Sequence, residues 1–319
     1  MVTLADIQQA QSLLHGIAVR TPLLEWTGAA VDRKLVLKLE NLQPIGAFKL
    51  RGAYNKIASL SDDERRRGVI SYSSGNHAQG VAYAARALGV KAIIVMPSNA
   101  PKNKSEATAA LGAEIVTVGP GSEERRLRAE QLAAEHGYVI VPPYNDERII
   151  AGQGTVGLEI LEDMPNVETV LAPIGGGGLI SGISAAIKLT NPAVKVIGVE
   201  PELAGDARAS LHAGHVVSFP ADQVSQTLAD GLRTQSIGEI NFAHIRAYVD
   251  DIICVTEDEI REAARALSAN PTTVAEPSGA VSVAAFMFHS AELPRTRYNV
   301  AVISGGNIDP QFLAEIRRA

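Results

Sequence analysis

The sequence predicts an α/β fold of mostly parallel sheets flanked by helices, and three features of its 319 residues predict it. Short β-branched runs alternate with longer helical patterns through most of the chain. Most of those runs are apolar throughout, which suits strands covered on both faces. Glycine-marked turns stand where the runs end and the helical patterns begin, as in parallel strands joined by crossover helices.

Strands are expected at residues 35–39, 69–72, 92–96, 114–118, 169–172, 194–199, 252–255 and 298–303. Helical spacing is clearest at 76–88, 122–136, 179–189 and 258–269. The segment Val141-Pro142-Pro143-Tyr144-Asn145-Asp146 reads as a crossover loop. Residues 50–145 are expected to form a smaller domain, inserted into a larger one made of 1–49 and 146–319. A cleft between two such lobes is a common ligand site.

Composition excludes several function classes. Hydrophobic residues make up 46% and charged residues 20%, the balance of a globular protein. Formal charge is −6, from 29 basic and 35 acidic side chains, without a basic stripe for nucleic acid. Cys254 is the single cysteine, so neither a disulfide framework nor a thiolate cluster is available. Within its apolar run it is expected to be a buried thiol. Neither a signal-peptide pattern nor an apolar run near ~18 residues is present, so a cytoplasmic protein without membrane spans is expected.

Three glycine turns follow strands: Ser73-Ser74-Gly75-Asn76-His77, Gly175-Gly176-Gly177-Gly178 and Ser304-Gly305-Gly306-Asn307. In open α/β sheets ligands collect beyond the carboxyl ends of strands, so the three can converge on one molecule. The tetraglycine reads as a phosphate cradle, because bare backbone lets helix-start amides approach an anion. A packed turn is its structural alternative. Gly176-x-Gly178-x-x-Ser181 also approaches a dinucleotide fingerprint, with Glu200 as the ribose acid, but serine holds the third glycine position. A fourth motif, Ile45-Gly46-Ala47-Phe48-Lys49-Leu50-Arg51-Gly52, sets a lysine between apolar neighbours at an expected helix start. Burial there would lower its pKa from about 10.4 and ready the amine for Schiff-base chemistry.

Together these motifs resemble the serine/threonine dehydratase and serine racemase family, pyridoxal-phosphate enzymes of the tryptophan-synthase-β-like fold. The resemblance spans essentially the whole chain. It implies pyridoxal 5'-phosphate bound to Lys49, which later acts as base at the substrate Cα, with Phe48 beside it. It implies that Gly175, Gly176, Gly177, Gly178 and Leu179 hold the phosphate. Asn76 would meet the ring hydroxyl, and Ser304 the pyridine nitrogen. Ser304 is a neutral partner, which favours loss of the β-hydroxyl over transamination. Ser73, Asn76 and His77 would meet the substrate, although His77 equally suits a plain helix start. A homodimer is also implied. Ile45 and Ala47 stand where relatives often carry hydroxyl residues.

Three positions point within the family. Ser74 resembles the serine that protonates the face opposite the lysine in serine racemases; a helix cap is its alternative. Arg125 resembles an arginine brought to the substrate and would suit a second carboxylate, although Glu123-Glu124-Arg125-Arg126 is also an ordinary charged helix face. Glu200, the carbonyl of Ala204 and Asp206 resemble an all-oxygen site for Mg²⁺, Mn²⁺ or Ca²⁺. The expected activity is therefore an ammonia-lyase acting on a β-hydroxy amino acid, 3-hydroxyaspartate first, then serine or threonine. The alternative is a serine or aspartate racemase using Lys49 and Ser74. A nicotinamide-dependent oxidoreductase or a non-catalytic nucleotide-binding protein is the reading from outside this family.

Overall fold

The computed structural model describes residues 1–27, 32–100, 102–119 and 121–318. Among them ten strands form two sheets. The larger sheet has six strands in the order β1-β2-β10-β7-β8-β9: β1 (Leu23–Trp26), β2 (Lys34–Leu39), β7 (Thr169–Pro173), β8 (Lys195–Pro201), β9 (Asp251–Val255) and β10 (Tyr298–Ile303). The smaller has the order β5-β4-β3-β6: β3 (Val69–Tyr72), β4 (Ala92–Pro97), β5 (Glu114–Val118) and β6 (Val139–Ile140). All neighbours are parallel except β1, which runs antiparallel to β2.

The unbroken apolar runs have a direct cause in packing. Along β7 and β10, Leu171, Ala301 and Ile303 enter one core cluster with Leu35, Leu37 and Leu39. The alternate residues Val170, Val300 and Val302 enter another, with Ile180 and Ile183 of the helix Gly178–Thr190. Both faces are dry, so both sets of side chains must be apolar. Each large aliphatic side chain buried this way contributes roughly 1.5–3 kcal/mol.

Every expected strand is present, and two more appear, β1 and β6. The expected run 194–199 is shifted: β8 starts at Lys195 and extends to Pro201, because Glu200 and Pro201 pair with Cys254 and Val255. Expected helices are found at Asn76–Leu88, Ser122–His136, Gly178–Thr190 and Glu257–Leu267. The line drawn between residues 49 and 50 passes through the helix Lys49–Ala58.

The 17-residue helix Glu147–Asp163 carries no prediction from periodicity, yet it is central to the fold. Its N-cap is Asp146, whose side chain accepts from the amides of Arg148 and Ile149. It packs backbone to backbone on two other helices. A Cβ on Gly152 would lie 2.6 Å from the carbonyl oxygen of Arg51, and one on Gly182 would lie 2.4 Å from the amide of Gly154. Glycine costs a helix about 1 kcal/mol against alanine, and this close approach is what it permits.

A buried four-charge cluster fastens the helices Lys49–Ala58 and Glu147–Asp163 to β2. Arg51 Nε donates to Glu40 Oε2 at 2.8 Å and Arg51 Nη1 to Glu159 Oε1 at 2.7 Å. Lys38 Nζ reaches Glu159 Oε2 at 2.6 Å and the carbonyl of Thr21 at 2.7 Å. Each carboxylate is matched by a cation, which is the condition for burying either. Among the described residues no helix is long and apolar enough to cross a membrane.

Candidate active site

A cavity of about 540 Å³ opens beyond the carboxyl ends of β3, β7 and β10. Its wall includes Phe48, Lys49, Ser73, Ser74, Asn76, His77, Arg125, Gly175, Gly176, Gly177, Gly178, Leu179 and Ser304. Four motifs scattered over more than two hundred positions are thus brought to one place.

Lys49 begins its helix one residue after Phe48, whose amide donates to the carbonyl of Ser304 at 3.1 Å. Ala47 and Gly305 bridge the same two segments. The lysine motif and the Ser304 loop are therefore joined through main chain. Lys49 Nζ donates to the carbonyl of Pro143 at 2.7 Å, and burial lowers the amine to about 8. A carbonyl satisfies one N–H without supplying the negative charge that would hold the ammonium form.

His77 is buried, with Nε2 3.0 Å from the carbonyl of Val141. Burial, with Lys49 adding to it, depresses its pKa to about 3. It is a neutral imidazole whose Nε2–H is taken by main chain. The helix Asn76–Leu88 has Gly75 as N-cap and no side-chain cap, so Ser74 does not serve as one. Ser73 Oγ accepts from the Gly75 amide at 3.3 Å.

The tetraglycine runs from the end of β7 into the helix Gly178–Thr190, with Gly177 at φ +93°. The first amides of this helix have no intrahelical acceptor, and Gly177, Gly178 and Leu179 line the cavity. Tyr144 lies across the loop: a Cβ on Gly176 would sit 2.2 Å from its ring. Burial raises the Tyr144 phenol to about 12, so it stays protonated. Bare backbone, helix-start amides and a half-buried amine in the same cavity fit a ligand with an anionic tail and an electrophilic carbon.

Glu200 and Asp206 stand outside this wall. Glu200 accepts from the amides of Ala207 and Arg208 at 3.2 and 2.8 Å. Burial, assisted by Asp206 and opposed by those amides, raises it to about 8. Burial raises Asp206 to about 7, and its Oδ2 is enclosed without a hydrogen-bond partner. Ala204 is buried beside them in sequence. An orphaned carboxylate oxygen near a second buried carboxylate fits a cation with oxygen ligands. Among the described residues no group of three or more His, Cys, Asp or Glu forms a ligand set. Glu200 is buried and does not line the cavity, which removes the acid of the dinucleotide reading. Cys254 is only half-buried, not fully enclosed as expected, and burial still raises its thiol to about 11.

Among the further wall residues, Lys104, Tyr144, Asp230, Glu276 and Ser278 carry no signal among the glycine motifs. Glu276-Pro277 matches a helix start with proline at the first position, which could have marked that element but not its place at the cavity.

Comparison with known proteins agrees with this geometry. A family model described as pyridoxal-phosphate dependent enzyme matches residues 16–305. The L-threonine ammonia-lyase of Thermotoga maritima is 46% identical, covering 99% of this chain and 78% of that protein. The processed form of threonine deaminase isoform 2 from Solanum lycopersicum is 35% identical with TM-score 0.92, covering 99% of this chain and 91% of that one. Maize serine racemase is 36% identical with TM-score 0.93, covering 98% and 96%. With the family model matching nearly the full length, the chain belongs to the pyridoxal-phosphate dependent enzymes.

Proposed function

We propose that the protein is an ammonia-lyase that converts a small β-hydroxy amino acid, threonine or serine foremost, to a 2-oxo acid and ammonia. The observation that carries this is the half-buried Lys49, its amine desolvated, in one cavity with the tetraglycine, Asn76 and Ser304. The similarity to a threonine ammonia-lyase and a threonine deaminase puts threonine ahead of the 3-hydroxyaspartate expected from sequence.

When bound, pyridoxal phosphate supplies the electron sink that makes a Cα proton acidic. The chain's own groups do the rest. The amides of Gly175–178 hold the phosphate, and Ser304 gives the ring nitrogen a neutral partner. The helix-start amides after Ser73 and Ser74 receive the substrate carboxylate. Lys49 Nζ, half of it neutral near pH 8, would take the Cα proton, and that proton and the β-hydroxyl would be lost together as water. His77, neutral and tied to Val141, adds no competing charge. Glu200, the Ala204 carbonyl and Asp206 would hold a divalent cation outside the cavity wall, in a structural role.

Arg125 favours a second reading, a substrate with a second carboxylate such as 3-hydroxyaspartate, because the arginine belongs to the cavity wall. Purified protein incubated separately with L-threonine, L-serine and 3-hydroxyaspartate, with 2-oxo acid and enantiomers measured, tests these readings. Oxo acid from threonine or serine is expected. Oxo acid from 3-hydroxyaspartate alone would shift the assignment to the second reading. Enantiomer formation lost in Ser74→Ala, without oxo acid, would replace both with racemisation.

A further inference from the structure

One buried acid at the cavity has no part in the chemistry above. Glu276 is the N-cap of the helix Pro277–Phe288, yet its side chain makes no cap hydrogen bond. An acid there would ordinarily accept from amides of the first turn. Instead Oε1 accepts from Asn76 Nδ2 at 2.6 Å. On the other side of the same amide, Asn76 Oδ1 accepts from Asn307 Nδ2 at 2.8 Å, and Asn307 Nδ2 also donates to the carbonyl of Ile45 at 2.9 Å. Asn76 is thereby fixed in one orientation, with its oxygen committed to Asn307 and one N–H committed to Glu276. Its second N–H hydrogen remains for a ligand.

The carboxyl is held closely. It is 3% exposed, and a Cβ on Gly305 would lie 2.4 Å from Oε1, so nothing larger than glycine fits between it and the Ser304 loop.

We propose that Glu276 is a positioning residue for the cofactor: its carboxyl orients the Asn76 amide toward the ring. This rests on the reading that Asn76 meets the cofactor.

The charged groups facing Glu276 are Asp230 and Lys104, themselves an ion pair, and their effects on it oppose each other. Burial, reinforced by Asp230 and opposed by Lys104 and Asn76, raises the acid to about 7. Pyridoxal phosphate brings further negative charge, which a neutral carboxyl tolerates and a carboxylate repels. Cofactor binding should therefore weaken as Glu276 loses its proton.

The experiment strips full-length protein of cofactor and titrates it with pyridoxal phosphate, following absorbance between about pH 6 and pH 8.5. Wild type, Glu276→Gln and Glu276→Ala are compared, with melting curves as a check on folding. Glutamine can accept from Asn76 through its amide oxygen but cannot ionise. The two affinities should agree at the acid end, and wild type should fall behind Glu276→Gln by about tenfold at the alkaline end, a shift of one pKa unit. Glu276→Ala should bind more weakly throughout. Parallel curves for wild type and Glu276→Gln would overturn the proposal, as would unchanged affinity in Glu276→Ala. If the alanine variant does not fold, the glutamine comparison decides alone. Lack of uptake by wild type at every pH would overturn the cofactor reading as well, whereas uptake with parallel curves overturns this one only.

Discussion

An ammonium group needs hydration that a protein wall does not provide, and Lys49 loses enough of it to move to about 8. The neutral amine is the nucleophile, so in cofactor-free protein its modification by an amine reagent should rise through about pH 8, while other lysines follow near 10.4. Peptide mapping after brief labelling at several pH values measures this; a midpoint near that of ordinary lysines would contradict the burial. The folded state also binds fewer protons than the unfolded state between about 8 and the ordinary lysine value. Stability from this group therefore increases as pH rises through that window. His289 illustrates the opposite sign. Burial works against its charge, but hydrogen bonds to Glu292 and Glu259 win and raise its pKa. Its contribution is full below the unfolded value of about 6.5 and disappears as pH climbs through the raised folded value. Denaturant unfolding of wild type and His289→Asn should differ at acid pH and converge at alkaline pH; a gap that widens with pH would contradict this. At this scale the lysine and glycine motifs were legible in sequence because their residue types are specific. Glu276 and Tyr144 were not, because an acid before a proline and an aromatic in a loop acquire meaning only from what folds against them.

Among the secondary-structure elements, three helices depend on contacts that periodicity does not encode. The helix Glu147–Asp163 was illegible because Gly152, Gly154 and Gly157 argue locally against a helix, while tertiary packing requires them. Gly152→Ala should cost roughly 1–3 kcal/mol in denaturant unfolding, the range for overpacked sites. Its new Cβ would stand 2.6 Å from a carbonyl oxygen. A neutral result would mean that the helices can separate. The four-charge cluster is a harsher case. Glu40→Ala leaves Arg51 short of one of its two carboxylates, and breaking a buried pair costs about 3–5 kcal/mol. Since Arg51 lies two residues from Lys49 on one helix, cofactor affinity should fall together with stability. Strands β1 and β6 were missed for different reasons. β1 is a half-exposed antiparallel edge, and β6 is a two-residue strand that exists by pairing with Val69 and Ile70. The other strands were readable because two covered faces demand unbroken apolar runs.

Over the whole molecule, the cavity is walled by segments from both sheets, and Lys104 forms an ion pair with Asp230 across it. Lys104 lies between β4 and β5 of the smaller sheet, whereas Asp230 lies between β8 and β9 of the larger. We expect residues 50–145 to close over the ligand as a unit, with this pair as one fastening. Lys104→Ala should then raise KM severalfold with little change in thermal stability, since partly exposed pairs contribute about 0–1 kcal/mol. An unchanged KM would assign the pair to the surface alone. In the function proposed, the order of β-strands, the glycine turns and the cavity would present one amine to one aldehyde. Borohydride reduction of freshly isolated holoprotein, followed by peptide mass mapping, tests that most directly. A pyridoxyl-phosphate adduct on Lys49 and on no other lysine is expected; an unmodified Lys49, or an adduct elsewhere in the chain, would refute Lys49 as the Schiff-base residue.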